Sequence, residues 1–156
     1  MPAASKLKIQ PSPVIALLNQ SLAGAIDLKL QAKQAHWNVK GETFIALHEL
    51  FDTVSTQADN YADMIAERAV QLGGIAQGTV QTVARDTKLA VYPVDMQDSQ
   101  RHVKTLGTAI GTLAEFLRSA IDSSDESGDA VTADLFTEVT RGLDKLRWFV
   151  ESHISA

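Results

Sequence analysis

The chain has 156 residues, 45% of them hydrophobic and 21% charged, with a formal net charge of −5 and no cysteine. Those values describe one globular domain able to bury a core. They exclude a disulfide framework, a thiolate metal site and a broad nucleic-acid-binding face. The first thirteen residues lack the apolar centre of a signal peptide, and no apolar run approaches the ~20 residues of a membrane span. A cytoplasmic protein with no membrane partner is expected.

Residues 1–11 carry Pro2, Pro11 and small polar side chains without periodicity, so they read as a flexible arm, leaving 12–156 as the folded domain. Ser12-Pro13 has the form of a helix start, with serine as N-cap and proline at the first helical position. Val14, Leu18, Leu22, Ala25, Leu28, Ala32, Ala35 and Val39 then recur at helical spacing, and Gly41 ends the first helix. A second helix from about Thr43 carries Leu47, Phe51, Val54, Ala58, Tyr61, Ile65 and Leu72 on one stripe before Gly73-Gly74 stops it. Residues 75–97 show no sustained period and form a long connection. A third helix starts near Asp98 on Val103, Leu106, Ile110, Leu113, Leu117 and Ile121, and SSDESGD breaks it. The fourth spans about Thr132 to His153 on Leu135, Val139, Leu143, Leu146 and Val150. The expectation is an all-α four-helix bundle with one long crossover between helices 2 and 3, the loop pattern of ferritin-like folds.

The chemistry gathers on the second helix. With ~100° per residue, and His48 at zero, Asp52 falls near 40°, Asp63 near 60° and Glu67 near 100°. Imidazole with carboxylates suits iron, zinc or manganese. Taken singly, each of these side chains has a blander reading as a solvated charge or a packed histidine, and it is the joint stripe that points to metal. One helix cannot assemble them, because the His48–Asp52 and Asp63–Glu67 pairs stand ~15 residues, hence ~22 Å, apart. The positions of His48 and Glu67 add to the same total as those of Asp52 and Asp63. Two copies of this helix packed antiparallel about a two-fold axis near residues 57 and 58 therefore bring each pair together twice.

QAHWNVKG, FIALHELFD, DMIAERAVQLGG, YPVD and LDKLRWFVES resemble the Dps family of mini-ferritins, over residues 12–153. The resemblance implies a hollow dodecamer built from two-fold dimers. It implies a ferroxidase centre holding two iron ions between subunits, with His36, His48 and Asp52 from one chain and Asp63 and Glu67 from its mate. The implied substrates are ferrous iron and hydrogen peroxide, with ferric mineral stored in the cavity and Zn²⁺ as a surrogate at the centre. The alternative is a structural nucleoid protein that condenses DNA in starvation, for which the arm offers only Lys6 and Lys8. Asp125, Asp129 and Asp134 are candidates for lining a three-fold pore, although Ala130 interrupts the acidic pattern. Trp37 reads as packing at a helix end, with a role as sacrificial electron donor suggested by its place in the motif. Trp148 is expected in the core, and His102 and His153 as structural or surface residues.

Overall fold

The computed structural model describes residues 12–156. The arm over 1–11, with Lys6 and Lys8, lies outside the described residues. Five helices follow in order: α1 Pro13–Asn38, α2 Phe44–Gln71, α3 Val80–Asp86, α4 Ser99–Glu126 and α5 Ala130–Glu151. Among the described residues the only β feature is an isolated parallel bridge between Lys40 and Asp98. Helices α1 and α2 pack as one antiparallel hairpin and α4 and α5 as another, with α1 against α4 and α2 against α5 closing the bundle. This is the four-helix arrangement with one long crossover.

Helix ends obey local chemistry. The Ser12 side chain accepts from the Val14 N–H at 3.2 Å, beside Pro13 at the first turn. Asp98 caps α4 through the Arg101 N–H, and Asp129 caps α5 through the Thr132 N–H. At the end of α2, the Gly73 N–H bonds the Val70 carbonyl and the Gly74 N–H bonds the Ala69 carbonyl. Gly73 takes φ +87°, a left-handed conformation that glycine adopts without a Cβ penalty.

The core is one continuous cluster along the bundle axis. Leu18, Leu28, Phe51, Ile65, Leu106, Ile110, Leu117, Phe136 and Leu143 are fully buried within it. Each such side chain contributes roughly 1.5–3 kcal/mol relative to an exposed position. Between α2 and α5 the packing is tight at Gly142, where an added Cβ would lie 1.8 Å from the Tyr61 hydroxyl oxygen.

Several expectations need correction. The first helix stops at Asn38, because Val39 turns extended and the Lys40 N–H bonds the Gln97 carbonyl on the crossover instead of continuing the helix. The crossover contains α3, capped by Thr79, whose seven residues are too few to show a hydrophobic period. SSDESGD is not a break throughout, since α4 runs to Glu126 and only Ser127–Asp129 separates it from α5. The last helix is set two residues earlier than expected at both ends. Trp148 is 66% exposed and not in the core; two residues from both Leu146 and Val150, it lies on the opposite face of α5 from the Leu143–Leu146–Val150 stripe, and Phe136 is the large aromatic that α5 buries. Trp37 is likewise 67% exposed and packs little within its own chain.

Candidate metal centre

Two elements build the histidine half of the site. His36 lies in the last turns of α1 and His48 in the second turn of α2, and the short hairpin brings the two rings face to face, with centroids 3.7 Å apart and planes 17° from parallel. The His36 Nδ1–H donates to the His48 carbonyl at 2.6 Å, and the His48 Nδ1–H donates to the His36 carbonyl at 2.7 Å. A carbonyl only accepts, so both Nδ1 atoms carry the proton. In the neutral rings each Nε2 therefore keeps its lone pair free, which is the tautomer a metal ion requires. The backbone thus fixes the orientation of both rings.

Asp52 stands one turn after His48 on α2 and is held by an ion pair with Lys33 of α1. That hydrogen bond holds the Asp52 carboxyl below the usual carboxylate range, with further help from the positive charge of Lys33. Sequence reasoning passed over Lys33. The available signal was its place one turn before His36 on the same side of α1, the side turned towards α2.

Asp63 and Glu67 are exposed, further along α2. Asp63 lines an open groove with Ile26, Lys29, Asp59 and Ala66. Helix α2 is uninterrupted from Phe44 to Gln71, so the rise of ~1.5 Å per residue keeps these carboxylates ~22 Å from the histidines. Within one chain the structure brings His36 and His48 together, leaves Asp52 one turn along α2 paired with Lys33, and holds Asp63 and Glu67 far apart from them. No three His, Asp or Glu side chains among the described residues converge on one point of a single chain.

The remaining candidates divide. Asp125 and Asp134 are exposed, as a pore-lining role requires. Asp129 is occupied structurally: it caps α5, accepts from the Thr132 hydroxyl at 2.7 Å and pairs with Arg68 of α2 at 3.2 Å. Burial would raise its pKa, but the Thr132 bonds and Arg68 outweigh that and hold it low. His102 is fully buried and His153 bonds the Phe149 carbonyl near the chain end.

Comparison with known proteins agrees with this architecture. A ferritin-like domain family model matches residues 15–156. The DNA protection during starvation protein of Agrobacterium fabrum is 54% identical over 92% of this chain and 88% of its own length. The protein of the same name from Mycolicibacterium smegmatis is 33% identical over 93% of this chain and 79% of its own. Among solved structures, the Dps of Microbacterium arborescens in its high iron form superposes with TM-score 0.81 at 39% identity, covering 91% of this chain and 95% of that one. A C-terminal deletion mutant of Mycobacterium smegmatis Dps superposes with TM-score 0.87 at 34% identity, covering 93% of this chain and all of that one. By domain, by sequence and by structure, the chain belongs to the Dps family of ferritin-like proteins.

Proposed function

We propose that this protein oxidises ferrous iron, preferably with hydrogen peroxide, at two-iron sites shared between two-fold-related copies, and stores the ferric product inside a hollow cytoplasmic dodecamer. One observation carries the reading. Two imidazoles are locked with free Nε2 lone pairs beside Asp52, while the carboxylates that complete a donor set stand out of reach on the same straight helix. An antiparallel partner helix places Asp63 and Glu67 against the histidine half of its neighbour. Large apolar side chains left exposed on the single chain, including Leu30, Trp37, Ile45, Val80 and Val91, favour burial in an assembly.

His36, His48, Asp52, Asp63 and Glu67 are the proposed iron-binding and catalytic residues. Imidazole and carboxylate donors suit ferrous iron, and Zn²⁺ would serve as a redox-silent surrogate. Lys33 occupies Asp52 in the resting chain, so an arriving cation must displace an ammonium, not a shell of water alone. Two ferrous ions supply the two electrons that, with two protons, reduce one peroxide to two waters without releasing a hydroxyl radical. Trp37, exposed and adjacent to His36, is placed to donate an electron to any oxidant that escapes this pairing.

Hybrid dimers test the shared site. One variant carries His36→Ala and His48→Ala, the other Asp63→Asn and Glu67→Gln, and each alone should oxidise iron poorly. In a purified hybrid, one of the two symmetric sites keeps all five donors, so about half of the unmodified activity should return. Folded, correctly assembled hybrids that stay inactive would refute the two-fold site. The second reading, a nucleoid protein that condenses DNA, is favoured by the name its relatives carry. The net charge of −5 opposes it. Plasmid retardation at low and moderate salt decides between them, because phosphate binding through a few lysines weakens steeply with salt.

A further inference from the structure

The crossover carries a buried pair that the iron site does not use. Tyr92, 7% exposed, places its hydroxyl 2.6 Å from Nδ1 of the fully buried His102 on α4. The His102 Nε2 faces the Met96 carbonyl at 2.9 Å, so Nε2 carries the ring proton and donates it. Nδ1 is then the acceptor, and the Tyr92 O–H is the donor along a short, direct bond. The two rings stack with centroids 5.8 Å apart. Phe51 of α2, adjacent in sequence to Asp52, also packs near the His102 ring, with centroids 6.4 Å apart.

We propose that Tyr92 and His102 form an internal proton-coupled redox relay that takes up one-electron oxidising equivalents straying from the iron chemistry. Its physiological oxidant rests on the iron–peroxide reading above; the relay itself does not. Tyr92 gives one electron to a hydroxyl radical, which with a solvent proton becomes water, and the phenolic proton moves to His102 Nδ1. The products are a neutral tyrosyl radical and an imidazolium whose Nε2–H still donates to Met96. A ferrous ion then returns one electron, becoming ferric, and the proton moves back to the phenolate oxygen. A purely structural clasp needs only some hydrogen bond here. An oxidisable phenol needs a base to receive its proton at once, because the phenol cation is too acidic to persist in an apolar interior.

The surroundings keep the resting pair neutral. Burial pushes the Tyr92 phenol up and the His102 imidazole down, the latter opposed by the Met96 bond and by Asp98, and reinforced by Arg101. Phe51, facing the pair from α2, carries no charge.

The chain contains two tyrosines, so a Tyr61→Phe background leaves Tyr92 alone. In that assembled, metal-free protein, a photogenerated ruthenium(III) tris-bipyridine oxidant should produce a tyrosyl radical detectable by electron paramagnetic resonance. Its formation should change little between about pH 7 and 9 and should slow in deuterated solvent. His102→Gln should slow it at least about a hundredfold, the lower range of what a positioned base contributes. Tyr92→Phe should abolish it. Absence of the radical, or a rate that climbs with pH as for a phenol losing its proton to water, overturns the relay without reliance on either variant folding. In a second arm, ferrous iron and peroxide replace the ruthenium oxidant. Iron oxidation without any Tyr92 radical overturns the proposed role. Failure to oxidise iron at all overturns the function proposed above, and the ruthenium arm still judges the relay.

Discussion

Burial sets the protonation of His102, and that has a thermodynamic signature. Its folded pKa lies below the unfolded value of about 6.5, so the unfolded chain binds more protons below that pH. The resulting stability is full above about pH 6.5 and is lost as pH falls through the folded pKa, with a slope of at most ~1.4 kcal/mol per pH unit. Denaturation at fixed protein concentration should therefore show a steeper decline below pH 6.5 for the unmodified protein than for His102→Gln. The variant should also be weaker at neutral pH by about 1–3 kcal/mol, having left a buried partner unpaired. Equal slopes would show that His102 is not the titrating group. The donor residues of the proposed iron site could be picked out because His48, Asp52, Asp63 and Glu67 share one stripe at helical spacing. The reciprocal carbonyl bonds of His36 and His48 could not, since they depend on how tightly a hairpin backbone closes.

Helix interiors were legible from periodicity, while their ends and short partners were decided by contacts that no periodic pattern carries. Val39 follows the stripe of α1 and is buried, yet its residue leaves the helix because Lys40 finds a partner on the crossover. Trp148 was misplaced because hydrophobicity outweighed its place on the face of α5 opposite the buried stripe. Gly142 shows the same priority of packing over propensity. Glycine in mid-helix costs about 1 kcal/mol relative to alanine, so Gly142→Ala would stabilise an isolated α5. Here the new methyl meets the Tyr61 hydroxyl, and overpacking of about 1–3 kcal/mol should win, giving a net loss in denaturation experiments. In a Tyr61→Ala background the same substitution should become neutral or stabilising, and a loss unchanged there would contradict the clash.

For the molecule as a whole, the proposed assembly sets a mass of about 200 kDa for twelve copies of a 16.8 kDa chain. Light scattering in neutral, moderate-salt buffer should find that species, and a stable monomer would remove both the cavity and the shared sites. The bundle itself was legible from four periodic segments and one long gap. The contacts between copies were not, because a self-complementary surface leaves no periodic trace beyond the arithmetic of α2. That arithmetic has a consequence for the life of the protein in a cell. A helix that carries the two halves of a donor set ~22 Å apart cannot fold back to join them. Under the shared-site reading, a newly made chain is chemically silent until it meets another. Iron chemistry then begins only in chains that have already paired, the unit from which the shell is built, and no separate signal is needed to report that pairing.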